Sequence, residues 1–151
     1  MEATRTWADI EVGQEFPPIT YRVSPEAVRD FESVTGVEHP WHSGGSPYGG
    51  AIVPATLPCT DYGLFLSQIL PPIVGMHANH RLRLIRPIPV DSDVRVSCRV
   101  TDKYQKRNHK YLTMEYTIDD GNGNAYMVNT ITMTVDAYIL ASGVQREQID
   151  E

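Results

Sequence analysis

The segment from Pro54 to Pro72 constrains this chain most. Pro54 and Pro58 stand before it and Pro71-Pro72 close it, and proline is tolerated at a helix start but not inside one. Between these stops, over Cys59 to Leu70, the pattern predicts a helix in which Leu57, Tyr62, Leu64, Phe65, Leu66, Ile69 and Leu70 cover most of the circumference. A helix apolar nearly all round is a buried one, so the remaining residues must supply a layer that covers it. Downstream of the helix the period changes from about 3.6 to 2. Val94, Val96, Cys98 and Val100 alternate with Arg95, Ser97, Arg99 and Thr101. Leu112, Met114, Tyr116 and Ile118 alternate with Thr113, Glu115 and Thr117, and Met127, Ile131, Met133 and Val135 continue the pattern. These are strands with one core face and one wetter face. Asp119 to Asn124, DDGNGN, has the chemistry of a hairpin turn, and His77 to Ile85 is a further strand before the break at Pro87 and Pro89. The class is α+β, with an antiparallel sheet curled around a central helix. A sheet of this kind leaves an edge to be covered, so a dimer is expected.

Upstream, Ser24-Pro25-Glu26 is a helix start: an N-cap serine, proline at the first helical position and an acid in the first turn. Val28, Phe31 and Val34 follow at helical spacing until Gly36 ends the element. From Val37 to Gly50 the chain is rich in His, Pro, Gly and Ser, which makes it a loop. A length of 151 residues fits a single domain, read here as residues 1–140 with a polar tail over 141–151. The net charge of −6 leaves no cationic surplus for nucleic acid or anionic lipid. The polar, acidic N-terminus has no signal-peptide core, and no stretch of about 18 apolar residues exists to span a membrane. Cys59 and Cys98 form no CxxC pair or disulfide framework, so a reducing cytoplasm is the expected compartment.

The stretch RLRLIRPIPVDSDVRVSCRV resembles the "xxFxRPVxxGDxL" strand-turn-strand of MaoC-like hot-dog dehydratases, at Leu84, Arg86, Pro87 and Asp91 to Val94. WADIEVGQEF and YRVSPEAVRDFESVTG resemble the N-terminal strand and first helix of that family, and VEHPWH stands where it has its DxNPxH motif. GGAIVPATL resembles the start of its central helix, in the "PT" form of the FAS1-type, N-terminal-like branch. The resemblance runs from Trp7 to Val135. It implies a hot-dog fold and the hydration of trans-2-enoyl thioesters, or dehydration of 3-hydroxyacyl thioesters, on coenzyme A or an acyl carrier as substrate, with no resident cofactor. In the family a carboxylate and a histidine hold one water, and amides at the start of the central helix polarise the thioester. His42 matches the motif histidine and Pro40 its proline, while His39 takes the asparagine position and Val37 the aspartate position. Val37 can neither accept a proton nor hold a water.

His42 is therefore the expected general acid/base, since imidazole changes charge near neutral pH. Glu38, one residue from the motif acid, and Asp61, an acid on the apolar helix, are the candidates for the missing carboxylate. His39 either orients the substrate or water or bonds the loop. For the substrate, Gly50 allows close backbone approach, amides near Pro54 and Ala55 stabilise an enolate oxygen, and Arg86, with Arg81 and Arg83, meets coenzyme A phosphates. His39-x-x-His42 and His77-x-x-His80 have metal-like spacing without a third ligand, and no metal site is expected. Two alternatives stay open beside the hydratase. One is an acyl-binding subunit of a heterodimeric dehydratase, whose hot-dog partner carries the dyad. The other is an acyl-CoA thioesterase using Asp61.

Overall fold

The computed structural model describes residues 7–69 and 76–135. The expected tail over 141–151 and the Pro71-Pro72 stop lie outside these residues. Strand β1 (Glu15–Val23) leads into helix α1 (Pro25–Thr35), and helix α2 (Tyr62–Ile69) precedes strands β2 (His77–Leu84), β3 (Ser92–Lys106), β4 (His109–Asp119) and β5 (Ala125–Thr134). The strands form one five-stranded sheet in the order β1-β3-β4-β5-β2, antiparallel at every pairing. Because β1 and β2 occupy opposite edges, the chain between them must cross the whole sheet. This crossing lays α2 over the inner face and makes the hot-dog arrangement.

The inner face is the face that the alternation picks out. Val94, Val96, Cys98 and Val100 of β3, Leu112, Met114, Tyr116 and Ile118 of β4, and Met127, Ile131 and Met133 of β5 are all buried. Phe65 of α2 is fully buried against them, with its ring 6.3 Å from that of Phe16. Asp120 organises the expected β4–β5 turn by accepting from the Asn122 and Asn124 amides. The β3–β4 turn is made by Arg107 and Asn108, both at positive φ.

Helix α1 starts and stops where its residues require. Ser24 Oγ accepts from the Ala27 amide at 3.1 Å, and Gly36, at φ 69, donates its own amide to Glu32 O. The left-handed conformation there favours glycine. The three apolar residues do not form one stripe, since Val28 is buried while Val34 is 85% exposed. At about 100° per residue, Val34 lies well round the helix from Val28, and it is Glu32, one turn on, that shares the Val28 face.

The central helix differs from expectation in start and in burial. Leu57–Thr60 is a 3-10 turn with Pro58 in its first turn, and the α-helix begins only at Tyr62. Leu64 is 42% exposed, so the helix is not buried all round in a single chain. Edge strand β2 is itself exposed at nearly every described residue, while Tyr62 of α2 packs against its His77.

Candidate active site

Beyond α1 the chain turns back on itself. His39 is extended at the head of a 3-10 turn, Pro40–His42, and its Nδ1 accepts from the Trp41 amide at 3.1 Å. The His42 amide donates to His39 O at 2.9 Å. His39 thus caps the loop, and it also lines the same cleft as His42, with its ring 5.6 Å from that of His42. The next residues are tied down by the Ser46 hydroxyl, which donates to the Gly50 carbonyl, and by Ile52 N–H to Trp41 O at 2.8 Å. Val53 then donates to Ile88 O at 2.8 Å, fixing the loop to the connection between β2 and β3.

This folding carries the His42 ring to Glu32 of α1, with Nδ1 and Oε1 2.8 Å apart. The two side chains are 11% and 18% exposed. A carboxylate at Nδ1 favours the tautomer with its proton there, leaving Nε2 as a base. His42 lines a cleft of about 410 Å³ together with Trp41 and Tyr48 from the loop, Ala55 ahead of α2, and Ile88 and Met127 from the sheet side. Its walls are mostly apolar, as a site for an acyl group requires. Ala55 and Thr56 stand at the mouth of the α2 segment, and their amides meet no acceptor among the described residues. Pro54 has no N–H to offer; it is buried and fixes the approach to these two amides.

Glu38 is exposed and borders a second hollow together with Glu32, His39, Pro40 and Ser43. Asp61 accepts from the Tyr21 hydroxyl at 2.6 Å and lines no part of the His42 cleft. Burial pushes its carboxyl up to about 6, with the Tyr21 hydrogen bond acting in the opposite direction. Gly50 lies outside the cleft lining. Arg86 does line it, but its guanidinium donates to the Asn124 and Ala125 carbonyls, pairs with Asp120 at 3.1 Å and lies over the Tyr126 ring. The Cys59 thiol, whose titration burial pushes up, donates to Ala55 O. Among the described residues no group of three His, Cys, Asp or Glu side chains is placed to hold a metal.

Glu32 is the residue that sequence reasoning missed. The signal was present: an acid four residues beyond Val28, on the buried face of an otherwise ordinary amphipathic helix.

The chain belongs to the family described as FAS1-like, dehydratase domain region, whose sequence model matches residues 11–128. Its fold is the hot-dog of MaoC-like dehydratases and R-hydratases, and the family places it with domains of hydratase or dehydratase type. The R-hydratase PhaJ1 from Pseudomonas aeruginosa superposes with a TM-score of 0.74 at 17% identity, over 94% of each chain. The (R)-hydratase from A. caviae involved in PHA biosynthesis gives 0.71 at 19% identity, over 84% of this chain and 98% of that one. The HadBC (3R-hydroxyacyl-ACP dehydratase) complex from Mycobacterium tuberculosis gives 0.69 at 13%, over 82% and 96%. No curated protein matches the sequence.

Proposed function

We propose that this chain adds water to 2-enoyl thioesters, or removes it from 3-hydroxyacyl thioesters, with His42 as the general acid/base and Glu32 as its partner. The single observation that carries this reading is the 2.8 Å contact between His42 Nδ1 and Glu32 Oε1 beside an apolar cleft. In the hydration direction, Nε2 takes a proton from water as its oxygen bonds to C3 of the enoyl group. Electrons move from the C2–C3 double bond to the thioester oxygen, where the Ala55 and Thr56 amides stabilise the charge. The imidazolium then returns the proton to C2, so that water is added and His42 is regenerated. Glu32 holds the tautomer and stabilises the imidazolium from the Nδ1 side of the ring. Asp61 stays outside this set because its carboxylate is engaged by Tyr21.

The thioester carrier is coenzyme A or an acyl-carrier pantetheine. The HadBC structure and the ChsH1-ChsH2 complex from Mycobacterium tuberculosis are both named as complexes, and the uncovered β2 edge here favours pairing with a second hot-dog chain in the same way.

Hydration of a crotonyl thioester tests the reading. His42→Ala lowers kcat by about 10²–10⁴, the usual contribution of a positioned acid/base. An active wild type whose His42→Ala variant keeps its full rate would overturn the proposal.

A further inference from the structure

The loop that carries His42 also carries a row of rings. The His39 ring lies 5.6 Å from that of His42, Trp41 lies 4.9 Å from His39, and Tyr48 lies 6.2 Å from Trp41. All four residues line the cleft, so the row starts at the reacting imidazole and ends at the exposed Tyr48. Trp41 and Tyr48 meet edge to face, at 87°, an arrangement that leaves ring faces open to a third group. They are 38% and 63% exposed.

The backbone beneath these two rings is tied down. The buried Ser46 hydroxyl accepts from the Tyr48 amide at 3.3 Å and donates to the Gly50 carbonyl, which closes the turn carrying Tyr48. Ile52 N–H to Trp41 O, at 2.8 Å, fixes the chain at the other ring. Aromatic groups presented on a fixed backbone lose little freedom when a ligand covers them. From the sheet side the cleft is walled by the buried Ile88 and Met127. A cleft bounded by rings from the loop and aliphatic side chains from the sheet fits a flat apolar group.

Building on the hydratase reading above, we infer that the row selects acyl thioesters whose C3 carries an aryl ring over those whose C3 carries a saturated group. With the thioester oxygen at the Ala55 and Thr56 amides and C3 at His42, the substituent on C3 is the part of the acyl group that reaches Trp41 and Tyr48. A saturated substituent covers these rings by area alone, whereas an aryl ring adds stacked or edge-to-face contact with them.

Titration calorimetry with two unreactive pantetheine thioethers, one bearing a phenylpropyl and the other a cyclohexylpropyl group, tests this. The two have equal carbon number, and pantetheine brings no nucleotide base that could stack in place of the acyl group. The wild type is expected to bind the phenyl compound at least about fivefold tighter. Trp41→Leu and Tyr48→Leu combined should reduce that preference to less than about twofold. Tyr48→Leu alone, at an exposed position, should weaken it without opening the core, and Tyr48→Phe should retain it. Equal or tighter binding of the cyclohexyl compound by the wild type overturns the inference, as does a preference that survives the combined substitution. So does a Tyr48→Leu variant that weakens both compounds equally, or one whose only change is weaker self-association. Hydration of a crotonyl thioester separates the two readings. Hydration without an aryl preference in binding removes the selection and keeps the hydratase, whereas an aryl preference without hydration does the reverse.

Discussion

Glu32 and His42 lie ten positions apart and meet because Gly36 ends α1 and the Pro40–His42 turn folds the chain back. His42 was legible from its motif position and its setting before the central helix. Its partner was not, because motif spacing directs attention to Val37 and Glu38, whereas the acid comes from the buried face of the preceding helix. Asp61 was legible as a costly acid on an apolar segment, and its carboxyl, raised to about 6, bears that cost. A raised acid binds its proton more tightly in the folded than in the unfolded state, so stability falls as pH rises from about 4 to above 6. Asp61→Asn keeps an acceptor for Tyr21 and removes this titration. Its melting temperature relative to wild type should therefore rise from pH 4 to pH 7 and level off above, as read by thermal unfolding across that range. A pH-independent difference would mean that the carboxyl is not held protonated by burial.

At the scale of elements, the strands were the most legible part of the sequence. Period-2 alternation over Val94–Val100, Leu112–Ile118 and Met127–Met133 predicts the buried face that β3, β4 and β5 present. The Asp119–Asn124 turn followed from its Asp and Gly content, whereas Arg107-Asn108 carries no glycine to announce its positive φ values. The central helix was legible in place but not in extent. Its apolar circumference reads as complete burial, yet one sheet can cover only one side of it, and Leu64 faces out. Phe65 is the anchor on the covered side, fully buried and packed near Phe16. Phe65→Ala should cost about 3–5 kcal/mol, from lost transfer energy and the cavity left behind. Urea unfolding measures it, and a loss below about 1 kcal/mol would show that α2 is held elsewhere.

At the scale of the whole molecule, the sheet is left open at β2. Among the described residues, the outer β2 edge pairs with no further strand, and Leu64, Met76, Leu84 and Ile85 are exposed. A second hot-dog chain covers such an edge best. Sedimentation velocity at micromolar concentration should find a two-chain particle, alone or with a related subunit, and a monomer under both conditions would contradict this. The class of chemistry rests on family and fold, whereas its assignment to this chain rests on the His42–Glu32 pair. A double-mutant cycle on kcat for crotonyl-thioester hydration, with Glu32→Gln, His42→Ala and the two combined, tests that pair most directly. If Glu32 acts through His42, Glu32→Gln slows the wild type at nearly unchanged KM, and the double variant is no slower than His42→Ala alone. A Glu32→Gln variant as fast as wild type, or a double variant slowed by the product of both effects, would contradict the account.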